Sequence, residues 1–277
     1  MAQSKSFFGL RRGSTKSLTF STFNGKQVTK DRVTDVKNPR TEAQMINRML
    51  NYTAMSAYSA MKEIVDHSFA SKSYGLQSMR YFLSKNYSLL KYGTETLRYS
   101  SYKGGAVASL YQVSEGSLTK FPFVCSTSTE DISFTVDGNT VADLKKHTGL
   151  NNGDYFTVVA LSENASSRFT WIRVHIPTDG TDENEITLSS LEMESNVDTS
   201  AIVKVTKNEQ NKVTFNFKFP GGHRLVGTII SSAKRGDTWQ RSTNYMEIVN
   251  DDTYSNYAEA LATYPVGASY ILNGGDK

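Results

Sequence analysis

The side chains able to do chemistry are scattered along this sequence. His67, His147, His175 and His223 occur singly, and no HExxH, HxH or His/Cys pairing brings ligands to metal-binding spacing. GxSxG, phosphate-loop and dinucleotide fingerprints are missing. Cys125 has no sequence-local base beside it, so it reads as a small half-buried hydrophobe rather than a nucleophile. Each histidine likewise reads as a surface or structural residue. Gly221-Gly222-His223 follows Phe219-Pro220 and reads as a hairpin turn, with an oxyanion loop as its alternative. Glu192/Glu194 and Asp251/Asp252 have the residue types of an acid/base couple but no second signal beside them. The expectation is a non-enzyme with no catalytic residue, no metal and no cofactor.

One segment does carry a functional signal. Arg11, Arg12, Lys16, Lys26, Lys30, Arg32, Lys37 and Arg40 lie close together, with Phe7, Phe8, Phe20 and Phe23 interleaved. They are the candidate contacts to a partner protein or to nucleic acid, since cations on a two-stranded ribbon can neutralise phosphates along a duplex. The charge is unevenly spread. Residues 1–105 hold 17 Lys/Arg against 6 Asp/Glu, a net of +11, while residues 106–277 hold 14 against 21, a net of −7. That split favours polar head-to-tail contacts between copies, or nucleic acid at the basic half. A solvated basic face is the plain alternative.

The elements that position these residues follow from patterning. Leu18 to Phe23 is rich in β-formers, Asn24-Gly25 suits a two-residue turn, and Gln27-Val28-Thr29 begins a return strand. Asn38-Pro39-Arg40 breaks the chain, and Thr41 to Gln44 resembles a capping box. Ile46, Leu50, Ala54, Ala57, Met61, Ile64 and Val65 then recur at helical spacing to about Phe69. A second helical face runs through Leu76, Met79, Leu83, Tyr87 and Leu90, so a helical hairpin is expected. Met45, Met49, Met55 and Met61 read as core filling, with an adaptable partner surface as the alternative.

Beyond residue 106 the texture is strand-rich. Expected strands are 107–113, 132–136, 155–161, 169–176, 201–206, 212–219 and 225–232, with short helices at 141–147 and 254–262. Phe215, Phe217 and Phe219 alternate with Asn216 and Lys218, which marks one buried and one wet face. The acidic stretch 178–185 reads as an exposed turn, with a contact element as the alternative. The fold class is α+β: a basic β-hairpin arm and long helical hairpin (1–105), then a mainly antiparallel β domain (106–277). The 277 residues are 38% hydrophobic and 21% charged, an ordinary globular balance. The apolar runs are too short for a bilayer, and residues 1–12 lack a signal-peptide stretch. A single cysteine fits a reducing compartment. No membrane partner is therefore expected.

Two resemblances follow from these motifs. Asn38-Pro39-Arg40-Thr41 resembles the arm tip of HU/IHF-type DNA-bending proteins, although those place helices before the arm and this chain places its long helix after it. A wider resemblance covers Phe23 to Lys30, Val36 to Gln44 with the following helix, Val113-Ser114-Glu115-Gly116-Ser117-Leu118, and Gly149-Leu150-Asn151-Asn152-Gly153-Asp154. It is similar to structural proteins of crAss-like tailed phages of Bacteroidetes, some once labelled IHF-like, and to related Bacteroidetes proteins. The resemblance is strongest over residues 18–70. It implies a virion component made in the host cytoplasm, in the ring stack between portal and tail. Its partners would be copies of itself and portal, tail or other virion proteins, and it transfers no catalytic residue. Closed rings use heterologous contacts, one surface meeting a different one on the neighbour. DNA binding through the basic arm and a β-rich module for surface glycan are the alternatives.

Overall fold

A computed structural model describes residues 2–4, 13–14, 16–23, 26–32, 41–70, 75–93, 108–162, 169–178, 183–219 and 224–252. Two compact units divide the chain, residues 1–41 and 42–277. In the first, β1 (Ala2–Ser4), β2 (Gly13–Ser14), β3 (Leu18–Phe23) and β4 (Lys26–Asp31) form one antiparallel sheet in the order β1-β4-β3-β2. β3 and β4 pair from Leu18 opposite Asp31 to Phe23 opposite Lys26, leaving two residues between the strands. Asn24-Gly25, where the turn was expected, lies outside the described residues. Among the described side chains of this unit only Gln27 is buried, and Phe23 is 71% exposed.

The second unit opens with α1 (Glu42–Val65) and α2 (Leu76–Gly93). Leu50, Ala54, Ala57, Met61, Ile64 and Val65 bury one stripe of α1, as their spacing predicts, while Met55 is exposed. On α2 the buried line is Ser78, Phe82, Asn86 and Leu90. Leu76, expected on that face, is exposed, and Met79, Leu83 and Tyr87 are only half-buried beside it. The stripe is turned because two polar residues are buried for their hydrogen bonds. Asn86 Nδ2 donates to the carbonyl of Gln112 at 2.9 Å, and its Oδ1 accepts from the Gln112 N–H at 2.7 Å. Ser78 Oγ donates to the Asp66 carbonyl, and Tyr58 donates to the Asp66 carboxylate.

The rest of the unit is mainly antiparallel β structure. Its strands are β5 (Gln112–Ser114), β6 (Val124–Ser126), β7 (Asp131–Val136), β8 (Tyr155–Ser162), β9 (Phe169–His175), β10 (Met193–Ser195), β11 (Val203–Lys207), β12 (Val213–Lys218), β13 (Arg224–Arg235), β14 (Thr238–Arg241), β15 (Asn244–Tyr245) and β16 (Glu247–Asp251). A six-stranded sheet runs β10-β9-β8-β13-β14, with β16 also on β13. A four-stranded sheet runs β11-β12-β7-β6, and β15 pairs with β5. Helix α3 (Val141–Thr148) is framed by a Thr140/Asp143 capping box and by Gly149 in the left-handed region.

Alternation on β8 sends Phe156, Val158 and Ala160 one way and Val159 and Leu161 the other. The first set packs with Ile132, Phe134, Phe215 and Phe217 of the four-stranded sheet. The second packs with Leu50, Met61, Phe82 and Leu90 of the helices, together with Trp171, Val226 and Ile230. The layers are therefore helices, six-stranded sheet and four-stranded sheet. The composition-based boundary at 105/106 falls within residues 94–107, which lie outside the described set. The compact units divide the chain at Thr41/Glu42, and α1 and α2 share a core with the six-stranded sheet. The expected 107–113 strand is shorter and later, at β5, and the expected helix at 254–262 lies outside the described residues.

The 113–118 segment works as a strap. Glu115 exchanges backbone hydrogen bonds with Ser68 and Ala70, and its carboxylate accepts from Tyr81, Gln112 and Lys85. Ser114 Oγ donates to the Ser242 carbonyl, and the Leu118 N–H donates to the Arg241 carbonyl. Gly116 passes so near that strand that a Cβ would lie 2.2 Å from the Arg241 carbonyl oxygen, a backbone atom. Gly116→Ala should therefore destabilise the protein by about 1–3 kcal/mol, as overpacking does. Chemical denaturation would check this, and an unchanged midpoint would contradict the close approach.

Candidate functional site

The helices cover only part of their sheet face. Where α1 ends, the Asp66, His67 and Ser68 N–H groups bond back to Lys62, Ile64 and Val65, which closes the last turn. Beyond that end, outward-facing residues of the sheet line a cleft. Register places His175, Tyr155, Ser232 and Arg241 in one row across β9, β8, β13 and β14, with Arg173, Thr157 and Ile230 in the next row. These residues, with Glu63, Ile64, His67, Ser68 and Trp239, line a cleft of about 420 Å³. That is within the small-molecule size class of about 300–1,000 Å³.

Arginines and aromatic rings interleave on its floor. The Arg173 guanidinium lies 4.7 Å from the Tyr155 ring centre and 5.3 Å from that of Trp171. Arg241 lies 5.7 Å from the Tyr155 ring centre and 5.1 Å from that of Trp239. Such contacts hold a cation against an apolar wall. Arg173 also meets the Glu194 carboxylate at 2.6 Å, and Glu63 accepts from Trp171 Nε1 at 3.0 Å. Arg241 is only 6% exposed, and its donors go to the carbonyls of His67 and Gln240 and to the Tyr155 hydroxyl. Burial lowers its pKa from the ordinary arginine value, and nearby Arg173 acts in the same direction. Trp239 is 41% exposed.

The residues singled out from the sequence have other positions. Lys26 and Lys30 share a face of the first unit with Phe23, by the two-residue alternation of β3 and β4, and both are exposed. Lys16 is exposed before β3. Arg32 follows β4, where its N–H donates to the Ser17 carbonyl at 2.7 Å. Arg11, Arg12, Lys37 and Arg40 lie outside the described residues, as does the Gly221-Gly222-His223 turn. One member of each acidic couple is an ion-pair partner. Glu194 meets Arg173 and stands 3.6 Å from His175, and Asp251 meets Arg224 at 3.2 Å. The 149–154 motif is a connector: Asp154 is buried and accepts from the Lys234 N–H and from Arg235.

The chain matches no family model and no curated protein. Among the described residues no cluster of His, Cys, Asp and Glu could hold a metal ion. Among the described residues no helix is long and apolar enough to cross a membrane. The cleft itself was not readable from spacing, because Glu63, Tyr155, Arg173 and Arg241 come from distant parts of the chain. One local signal existed. In Trp171-Ile172-Arg173-Val174-His175 the polar and aromatic members alternate with the core residues.

Burial pushes the Cys125 thiol up to about 12, so little thiolate exists near neutrality. Alkylation of the native protein at about pH 8 should be slow and should speed up on unfolding. Fast native labelling would contradict this. His147 stacks on Phe134 with ring centres 5.9 Å apart, and burial lowers its pKa, against the opposing pull of Asp137 and the Pro122 carbonyl. With the folded pKa below the unfolded one, its stabilising effect is present above the unfolded value of about 6.5 and is lost as pH falls towards the folded value. His147→Phe should flatten the fall in melting temperature between about pH 7 and 5. An equally steep fall in the variant would refute the assignment.

Proposed function

We propose that this chain is a non-enzymatic structural subunit of a tailed-phage virion, a ring component of the neck between portal and tail. Its first unit would join a neighbouring copy through unlike surfaces. The observation that carries this reading is the four-stranded sheet of residues 1–41, which has a single buried residue among its described side chains. A sheet gains stability by covering an apolar face, and without that burial it is marginal in water. A partner surface would supply the missing cover and order the sheet on docking.

Charge supports a neighbouring copy as that partner. Residues 1–41 hold nine Lys/Arg against two Asp/Glu, a net of +7, and residues 42–277 hold 22 against 25, a net of −3. Complementary surfaces of this kind steer association and fix register. Phage neck placement rests on the resemblance of residues 18–70 described above. DNA binding is the second reading, favoured by the exposed Phe23, Lys26 and Lys30 on one face.

Lys16→Glu, Lys26→Glu and Lys30→Glu combined should block incorporation into phage particles, while the wild-type protein shows little duplex-DNA affinity near physiological salt. Gel shift across a salt series and immunodetection in purified particles would check both. Normal incorporation of the variant, with wild-type DNA affinity falling by a log–log slope of about −0.9 per phosphate, would favour the DNA reading.

A further inference from the structure

We propose that the cleft at the end of α1 binds a ring-bearing carboxylate, with the acid group on Arg241 and the flat ring against Trp239. This stands independently of the assembly reading. Arg241 has five N–H donors, and three are engaged by the His67 carbonyl, the Gln240 carbonyl and the Tyr155 hydroxyl. One N–H remains on each terminal nitrogen, the number a two-oxygen acid takes in a bidentate contact. A buried guanidinium with only neutral partners is costly, because a desolvated charge gains most from an opposite charge.

Charge balance selects the kind of acid. Arg173 is already met by Glu194, whereas the hydrogen-bond partners of Arg241 are all neutral, so Arg241 is the cleft arginine without a carboxylate of its own. A carboxylate matches that single charge. A phosphate dianion would add a second negative charge beside Glu63 and Glu194. The cleft volume suits one ring with its acid group rather than an extended chain. Trp239 is partly exposed and stands 5.2 Å from Tyr155, which gives an open aromatic plate beside the buried cation. An acidic sugar and an aromatic acid share this chemistry.

The test titrates the full chain with glucuronate and with benzoate, alongside glucose and benzamide as uncharged counterparts, followed by calorimetry and tryptophan fluorescence. At least one acid should bind, and its neutral counterpart should bind at least about tenfold more weakly, the scale of a charged hydrogen bond. Which acid binds identifies the source. Arg241→Lys keeps the charge without the fork and should weaken binding, and Trp239→Ala should weaken it while leaving the melting temperature near wild type. If Arg241→Lys lowers the melting temperature, Trp239→Ala and the neutral ligands still decide. Saturation by neither acid up to about 10 mM, where even millimolar sites fill, would overturn the proposal. So would equal binding of acid and neutral forms, or binding of inorganic phosphate or an aspartate-rich peptide in place of both acids.

Discussion

Strand β8 has β9 on one side and β13 on the other, and seven of its eight residues are buried. From Val158 onward, both faces of the six-stranded sheet are therefore withdrawn from water along this strand. Phe156, Val158 and Ala160 call for the second sheet, and Val159 and Leu161 call for the helices. The three layers follow from that one requirement. Gly227 on β13 marks how tightly two of them meet, since a Cβ there would lie 2.3 Å from Ile132 Cδ1 of the opposing sheet. Burial of this kind contributes about 1.5–3 kcal/mol for each large apolar side chain, before the opposing entropy of ordering.

The helices do not reach the whole sheet, and the arginine–aromatic cleft is the consequence. Where cover stops, the outward positions of β8 and β9 change from Val159, Leu161 and Trp171 to Tyr155, Arg173 and His175, with Arg241 of β14 beside them. Long cationic side chains laid across aromatic rings shield apolar surface while carrying charge. The strap through Glu115 and Gly116 binds the helical layer to the backbone of Arg241 itself, so the cleft and the helix–sheet contact share one set of hydrogen bonds.

Much of this architecture was legible from residue order. β12 shows clean alternation because one face is wet, β8 reads as a continuous apolar run because neither is, and α3 carries its own start and stop signals. The α+β class followed from those patterns. α2 was misread by about one position because apolar periodicity discounts Ser78 and Asn86, which are buried for their hydrogen bonds. β14 and β16 went unseen because they are short and largely polar, held by pairing with β13. The cleft depends on register between strands far apart in sequence, a long-range property without a local signature. The basic residues were legible as charge, but charge alone does not say what lies opposite.

The central functional claim is that the 1–41 sheet gains its cover from a neighbouring subunit. Amide hydrogen exchange at residues 18–23 and 26–31, in the isolated protomer and in assembled particles, tests it most directly. Rapid exchange in the protomer with strong protection in the particle is the result expected. Strong protection already present in the isolated protomer, unchanged on assembly, would contradict it.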